Sequence, residues 1–196
     1  MKAISDADLW RRASRDDTDA FAELFDRHAD SVYAFCFRRT ADWGLAEDLT
    51  SVTFLEAWRR RRVRLRSSSV LPWLLGIATN VVRNQHRAKR RYADLLGRLP
   101  SLEPSRDFAD DLAERLDAER AMGAVLALVR RLPRHEQDVL ALCVWQGLDT
   151  RDAASALGVR EPTVRTRLFR ARRRLKALAA ASSGVHSLPM DGVYER

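Results

Sequence analysis

Apolar side chains recur every three or four residues through most of the chain, which is the spacing of one face of an amphipathic α-helix. The first helix is predicted from Asp17 to Arg39, and its apolar stripe consists of Phe21, Leu24, Phe25, His28, Val32, Phe35 and Cys36. His28 is predicted to be a packed, hydrogen-bonded residue at the edge of the core. Helical spacing and a length of 196 residues together predict an all-α fold of two small domains.

A second helix is predicted from Asp42, which is placed to cap it, to about Arg61. Its apolar residues face more than one side of the helix and are Leu45, Leu49, Val52 and Phe54, with Leu55 and Trp58 on another side. A helix that is apolar on two sides should be contacted on two sides. Burial inside a three-helix bundle is the default explanation, and a partner protein is the alternative.

A triple serine at 67–69 with Pro72 close behind predicts the start of a third helix. One stripe of this helix is apolar and consists of Leu71, Leu74, Leu75, Ala78, Val81 and Val82. The opposite stripe combines aromatic, amide and guanidinium groups at Trp73, Ile77, Asn80, Asn84, Arg87 and Arg91. Amides and guanidiniums bind base edges and phosphates, and an exposed ring can stack on an unpaired base. This stripe is therefore a candidate nucleic-acid surface.

The second half of the chain predicts helices over Phe108–Arg130 and Arg134–Gln146, with Gly147 ending the latter. A helix-turn-helix follows at Asp149–Lys176. Asp149 is placed to cap a short helix, and Glu161 with Pro162 begins a long basic one.

The spacing inside the helix-turn-helix is specific to that motif. Ala154 leaves room for a close helix crossing, Gly158 permits a turn with positive φ, and Val164 packs into the angle between the helices. The residues predicted to contact DNA from this motif are Arg160, Thr163, Arg165, Thr166, Phe169, Arg170 and Arg173. The basic run ending in Arg174 is predicted to neutralise phosphates rather than to select sequence.

Charge is segregated along the chain. Residues 59–91 hold 11 basic and no acidic residues, and residues 150–176 hold nine basic residues against two acidic ones. Residues 1–58 and 99–119 each carry a net charge of −5. Two basic blocks separated by an acidic connector indicate two contacts with a polyanion, although a pair of solvated faces is the alternative.

Several other classes of function find little support. The two cysteines, Cys36 and Cys143, have no partner at metal-ligand spacing and are predicted to be buried thiols in a reducing cytoplasm. The four histidines are isolated, and no glycine-rich phosphate loop is present. The sequence therefore predicts a non-enzymatic, cytoplasmic protein with no catalytic residues, cofactor, metal, small-molecule substrate or membrane insertion.

Four blocks in order resemble the extracytoplasmic-function (ECF) group of bacterial RNA polymerase sigma factors, within the sigma-70 superfamily. The blocks are Asp19–Phe25 with His28 and Val32-Tyr33; Ala46–Thr50 with Phe54–Trp58; Trp73–Ala78 with Asn80 and Arg83-Asn84; and Leu132-Pro133 with Gln137–Leu140, Ala156–Val159 and Thr163–Arg172. Together they cover roughly residues 17 to 178. Thr166 stands where serine is most common in the family.

The resemblance implies a division of the chain into sigma region 2 at 1–95, an acidic linker at 96–118, sigma region 4 at 119–181 and an unassigned tail at 182–196. Region 2 would bind core polymerase through its β′ subunit, with contacts from Asp48, Leu49, Thr50, Phe54, Leu55 and Trp58. It would recognise and melt the minus-ten element through Arg62, Arg64, Ser67, Trp73, Asn80, Arg83, Asn84 and Arg87.

Region 4 would bind the minus-thirty-five element as duplex, and the linker would thread through polymerase channels that hold nucleic acid. The implied partners are the β′ and β subunits of core polymerase, promoter DNA and an anti-sigma factor. The main alternative is a helix-turn-helix regulator that binds an operator without joining polymerase. That alternative leaves the Trp73–Asn84 face and the acidic connector unexplained.

Overall fold

The computed structural model describes residues 4–65, 69–96 and 112–183, and every regular element within them is helical. The helices are α1 (Asp6–Ala13), α2 (Thr18–Thr40), α3 (Trp43–Arg59), α4 (Leu71–Leu96), α5 (Leu112–Val129), α6 (Arg134–Leu140), a π-helical turn (Ala141–Trp145), α7 (Thr150–Leu157) and α8 (Glu161–Ser183). The predicted all-α fold is confirmed. Among these helices, none combines the length and apolar run that a membrane crossing needs.

Helices α1–α4 form a bundle whose ends are set by local sequence. The carboxylates of Asp17 and Asp42 accept hydrogen bonds from the backbone N–H groups of Ala20 and Leu45, both at 3.0 Å, and so cap α2 and α3 as the sequence predicts for Asp42. The caps satisfy amide groups that have no partner within the helix. Phe35 and Cys36 of α2 are completely buried, and burial raises the pKa of the Cys36 thiol to about 12.

Helix α1 is absent from the sequence predictions. It is held by Asp6, whose carboxylate lies 2.8 Å from Nε2 of His28 and accepts a hydrogen bond from the Val70 amide at 3.1 Å. Burial raises the pKa of Asp6, but the Val70 hydrogen bond and the attraction of His28 outweigh it and leave the pKa below its usual value. His28 is 8% exposed, so its predicted role as a packed, hydrogen-bonded residue is confirmed.

The helix-turn-helix forms where the sequence predicts it. Asp149 caps α7 by accepting a hydrogen bond from the Asp152 amide at 2.7 Å, and Gly158 ends α7 in the left-handed region with φ +65°. Val164 is completely buried in the angle between α7 and α8. Upstream, the helix predicted over Arg134–Gln146 is instead α6 followed by the π-helical turn, in which the Gln146 amide donates to the Ala141 carbonyl five residues earlier.

Helices α5–α8 pack directly against α1–α4, and buried apolar side chains of both halves form one continuous core. The backbones approach most closely where α4 meets α7. A Cβ added at Gly76 would lie 2.6 Å from the carbonyl oxygen of Ala156, so only glycine permits this approach. We call this packing of α1–α4 against α5–α8 the closed arrangement.

Ion pairs and hydrogen bonds reinforce the closed arrangement. Asp138 on α6 is 1% exposed and accepts hydrogen bonds from Nη2 of Arg39 at 2.9 Å and Nη2 of Arg83 at 2.6 Å. Arg38 donates to the Trp145 carbonyl at 2.9 Å. A charge this deeply buried needs partners, because leaving it unpaired costs several kcal/mol. Asp138 therefore couples the two halves of the molecule.

Candidate nucleic-acid interface

The outer side of α8 presents polar and aromatic groups to solvent. Val164, Leu168 and Ala171 face the core, which turns the next positions outward. The exposed residues, which we call the recognition face, are Arg165, Thr166, Phe169, Arg170 and Arg173. The ring of Phe169 is 66% exposed, an unusual position for a phenylalanine that has no partner to cover it. Guanidinium groups, a hydroxyl and a ring on one helix face match the chemistry of base-edge and phosphate contacts.

Glu161 fixes the start of α8 relative to α7. Its Oε1 accepts hydrogen bonds from the Thr150 hydroxyl at 2.7 Å and from Nη2 of Arg165 at 2.6 Å, and these bonds lower the pKa of Glu161. Arg160 is exposed beside it, whereas Thr163 is half-buried. The recognition face is therefore carried on a helix whose angle is set by a side-chain contact as well as by the core.

A groove of about 1040 Å³ lies between α3 and α4, and we call it the amide groove. Asn80, Asn84 and Arg87 line it. Asn80 Oδ1 accepts from Nη1 of Arg83 at 3.3 Å, and Asn84 Oδ1 accepts from Nη2 of Arg87. These contacts occupy the Oδ1 atoms, and neither NH₂ group donates to another residue in the part of the chain that the structure describes. Three of the predicted minus-ten residues are thus brought together on one concave surface.

The other predicted minus-ten residues are placed differently. Trp73 is half-buried and packs edge-on against Trp10, with 4.6 Å between ring centroids, so part of its ring is already covered. Arg62 and Arg64 are exposed after α3, and Ser67 lies outside the described residues. Arg83 is committed to Asp138, so in the closed arrangement its guanidinium is occupied by a carboxylate.

The predicted polymerase-binding residues on α3 divide into buried and exposed sets. Leu49, Thr50 and Phe54 are buried within the bundle. Trp58 is half-buried, lies 5.0 Å from the Phe21 ring and has the Arg61 guanidinium 4.3 Å above it. The exposed set, which we call the docking face, consists of Asp48, Val52 and Leu55, one helical turn apart.

Val52 and Leu55 are 43% and 48% exposed on the docking face, so the surplus apolar surface of α3 is only partly covered by the bundle. Val52 is among the apolar residues predicted for this helix, but it is not among the residues predicted to bind polymerase. The i, i+4 and i+7 spacing of Asp48, Val52 and Leu55 is the signal that places all three on one side of the helix.

Comparison with known proteins identifies the family of the chain that carries these surfaces. Residues 24–92 match the family model "Sigma-70 region 2", which spans α3 and most of α2 and α4. Residues 122–175 match "Sigma-70, region 4", which contains the helix-turn-helix. The chain is 34% identical over 174 residues to the ECF RNA polymerase sigma factor BldN of Streptomyces coelicolor, a match that covers 87% of this chain and 64% of BldN. It is 30% identical over 143 residues to the RNA polymerase sigma factor HrpL of Pseudomonas syringae, covering 73% of this chain and 78% of HrpL.

The chain belongs to the ECF group of the sigma-70 family. It spans less than two thirds of the length of BldN. The solved structure of the sigma factor RpoE of Bartonella quintana, in complex with the anti-sigma factor NepR, has the same fold: the TM-score is 0.59 at 22% identity, covering 82% of this chain and 96% of that one. The amide groove and docking face lie within the region 2 match, and the recognition face lies within the region 4 match.

Family motifs did not reveal every residue that positions these surfaces. Asp138, Arg39 and Gly76 hold region 2 against region 4, and sequence reasoning assigned interdomain roles to none of them. Gly76 carried a usable signal, because a glycine inside a helix often marks a close backbone approach. The Arg39–Asp138 pair gave no signal in the sequence, because its two residues are 99 positions apart.

Proposed function

We propose that this protein is an ECF sigma factor that binds core RNA polymerase and directs initiation at specific promoters. The observation that carries the proposal is the presence on one chain of two separate surfaces whose side chains suit nucleic acid, the amide groove in region 2 and the recognition face in region 4. A regulator that binds an operator needs only the recognition face. The division into region 2 at 1–95, linker at 96–118 and region 4 at 119–181 is part of the proposal.

The recognition face would bind the minus-thirty-five element as duplex. A helix with Arg165, Phe169 and Arg170 outward can insert into the major groove, where arginine reads guanine and an apolar ring contacts a thymine methyl group. Arg173 lies one turn further on and would contact backbone phosphate.

The amide groove would hold an unpaired base of the minus-ten element. Asn80 and Asn84 offer amide donors at its wall, and Arg87 supplies positive charge for the backbone. Removing a base from the stack costs a few kcal/mol, which contacts inside the groove offset. Strand separation is then coupled to recognition, so no catalytic group is required and a non-enzymatic role is expected.

The docking face would bind the β′ subunit of polymerase, with further contacts to the β subunit. Val52 and Leu55 provide exposed apolar surface and Asp48 a flanking charge, which is the composition of a small protein–protein contact. This role would place the protein in the cytoplasm. An anti-sigma factor is a further proposed partner, supported by the bound NepR in the structure of the Bartonella relative.

The closed arrangement is proposed to be the inactive form. It occupies Arg83 with Asp138 and places Arg64 and Trp73 across a cavity of about 1000 Å³ from Arg160 and Thr163. Residues proposed for the two promoter elements therefore face each other within one compact molecule. Simultaneous binding of two elements that are separated along DNA requires region 2 and region 4 to part.

Run-off transcription with core polymerase and a genomic promoter library tests the proposal. We expect transcripts with defined start sites that depend on this protein, and their complete absence would exclude the sigma role. Asn80→Ala and Asn84→Ala should reduce transcription while leaving core binding intact. Leu55→Arg should abolish core binding, whereas Asp30→Ala on the exposed side of α2 serves as the matched control and should change neither.

A further inference from the structure

A cavity of about 360 Å³ lies where the two halves of the molecule meet, between α2, α4, α5 and α6. This volume is in the range of small-molecule sites. Leu45, Leu126 and Val129 make part of its wall apolar, and most of the remaining lining residues are charged or polar. We call it the basic cavity. Arg90 and Arg134 also line the amide groove, whereas Lys89 and Arg130 line the basic cavity alone.

Positive charge dominates the basic cavity. Two carboxylates, Asp42 and Asp138, line it together with six cationic side chains: Arg39, Arg83, Lys89, Arg90, Arg130 and Arg134. Asp138 is already shared by two of the arginines. The other four side chains are solvent-exposed and line the cavity without an ion pair to any carboxylate in the part of the chain that the structure describes.

Arg39 supplies an independent sign that an anion belongs there. Its side chain is 6% exposed and lines the cavity, and its Nη2 is bound to Asp138. Its Nη1 is buried and has no hydrogen-bond partner among the described residues. A buried donor without an acceptor is costly, and native structures rarely leave one unsatisfied. An oxygen acceptor held inside the cavity would satisfy it.

His86 reports the electrostatic potential of the cavity. Burial, together with the charges of Arg39, Arg130, Arg134 and Arg90, lowers the pKa of His86 to about 4. Those charges come from α2, α4, the α5–α6 connection and the start of α6, and Asp42 and Asp138 are the carboxylates that line the same cavity. The positive potential that repels a proton from His86 attracts an anion to the same place.

We propose that the basic cavity binds a small phosphate-bearing anion and that the bound anion holds the protein in the closed arrangement. Guanidinium groups bind phosphate through paired N–H···O hydrogen bonds, and several of them can share its oxygens. The apolar wall formed by Leu126 and Val129 accommodates an organic substituent. Because the cavity walls come from both halves, the anion binds the closed arrangement and stabilises it against opening.

Calorimetric titration of the full-length protein with pyrophosphate, at constant ionic strength, tests the site without polymerase, so its outcome is independent of the proposed sigma activity. We expect saturable binding at one site. The double variant Lys89→Gln, Arg130→Gln removes two cavity cations that neither touch Asp138 nor line the amide groove, and it should weaken binding by about tenfold or more. The matched control Arg120→Gln, Arg131→Gln removes two charges outside the cavity and should stay within about twofold of wild type.

Two further measurements distinguish a small phosphate compound from a nucleic-acid backbone and show where the anion binds. A short oligonucleotide that displaces pyrophosphate with the same dependence on Lys89 and Arg130 would show a backbone contact and overturn the small-anion proposal. Bound pyrophosphate should raise the pKa of His86. NMR measures this pKa, and the His86→Gln variant identifies the resonance of the His86 imidazole. Absence of saturable binding, equal loss in the control variant, or an unmoved His86 pKa would each overturn the proposal.

Discussion

Substituting alanine for Gly76 tests whether the closed arrangement depends on backbone contact between α4 and α7. The new Cβ would lie 2.6 Å from the Ala156 carbonyl oxygen and 3.2 Å from its Cα, and neither atom can rotate away. Restoring the Cβ–oxygen distance from 2.6 Å to an ordinary contact of 3.4 Å requires the helices to separate by about 0.8 Å. The same shift would stretch the Arg83–Asp138 ion pair, now 2.6 Å.

The substitution has opposite effects on the helix and on the contact between the halves. Alanine stabilises α4 itself by about 1 kcal/mol relative to glycine. Overpacking a tight contact costs about 1–3 kcal/mol. The closed arrangement should therefore lose roughly 5- to 150-fold in population relative to an open one, while the α1–α4 bundle becomes no less stable.

Small-angle X-ray scattering measures the outcome directly. Gly76→Ala should increase the radius of gyration, and hydrogen exchange should lose protection in α7 while α2 stays protected. The matched control is Gly123→Ala in α5, where the added Cβ meets nothing within 4 Å. Only the gain in helix stability remains in that variant. Unchanged scattering and exchange in Gly76→Ala would refute the argument that backbone contact holds the halves together.

Three further changes follow from contacts described above. Asp138→Asn leaves Arg39 and Arg83 without a counter-charge and should destabilise the folded chain by about 3–5 kcal/mol in urea unfolding; a loss below about 1 kcal/mol would contradict the role assigned to this pair. Gly158→Ala places a side chain at φ +65° and should cost about 1–2 kcal/mol, seen as a lower Tm; an unchanged Tm would show that the turn relaxes freely. The pKa of Asp6 is lower in the folded protein, so its contribution to stability is present above about pH 3.8 and is lost as pH falls through the folded value. The difference in unfolding free energy between wild type and Asp6→Asn should therefore shrink in acid, and a constant difference would contradict this assignment.

Features encoded by neighbouring residues were predictable. The Asp42 and Asp149 caps, the left-handed Gly158 and the buried Val164 act within a few positions of the elements they define. The outward direction of Phe169 follows from the same periodicity. These features account for the helix-turn-helix and for the boundaries of most helices.

Features that depend on contacts distant in sequence were not predictable. Helix α1 has eight residues, too few to be stable alone, and exists because Asp6 reaches His28 and Val70. The partial burial of Trp73 depends on Trp10, which belongs to that unpredicted helix. The closed arrangement depends on Asp138 meeting two arginines from the other half of the chain. No periodic pattern records such pairs.

The depth of Asp138 makes its ion pair with Arg39 respond to ionic strength differently from contacts made at the surface. Salt screens exposed charges, so a higher salt concentration should weaken the DNA contacts proposed for the exposed arginines of the recognition face, because less free energy is gained from counterion release. Asp138 and Arg39 are 1% and 6% exposed, beyond the reach of mobile ions, and their attraction persists. In the presence of promoter DNA, added salt should therefore favour the closed arrangement without strengthening the Arg39–Asp138 pair, and low salt should favour the proposed DNA-bound form.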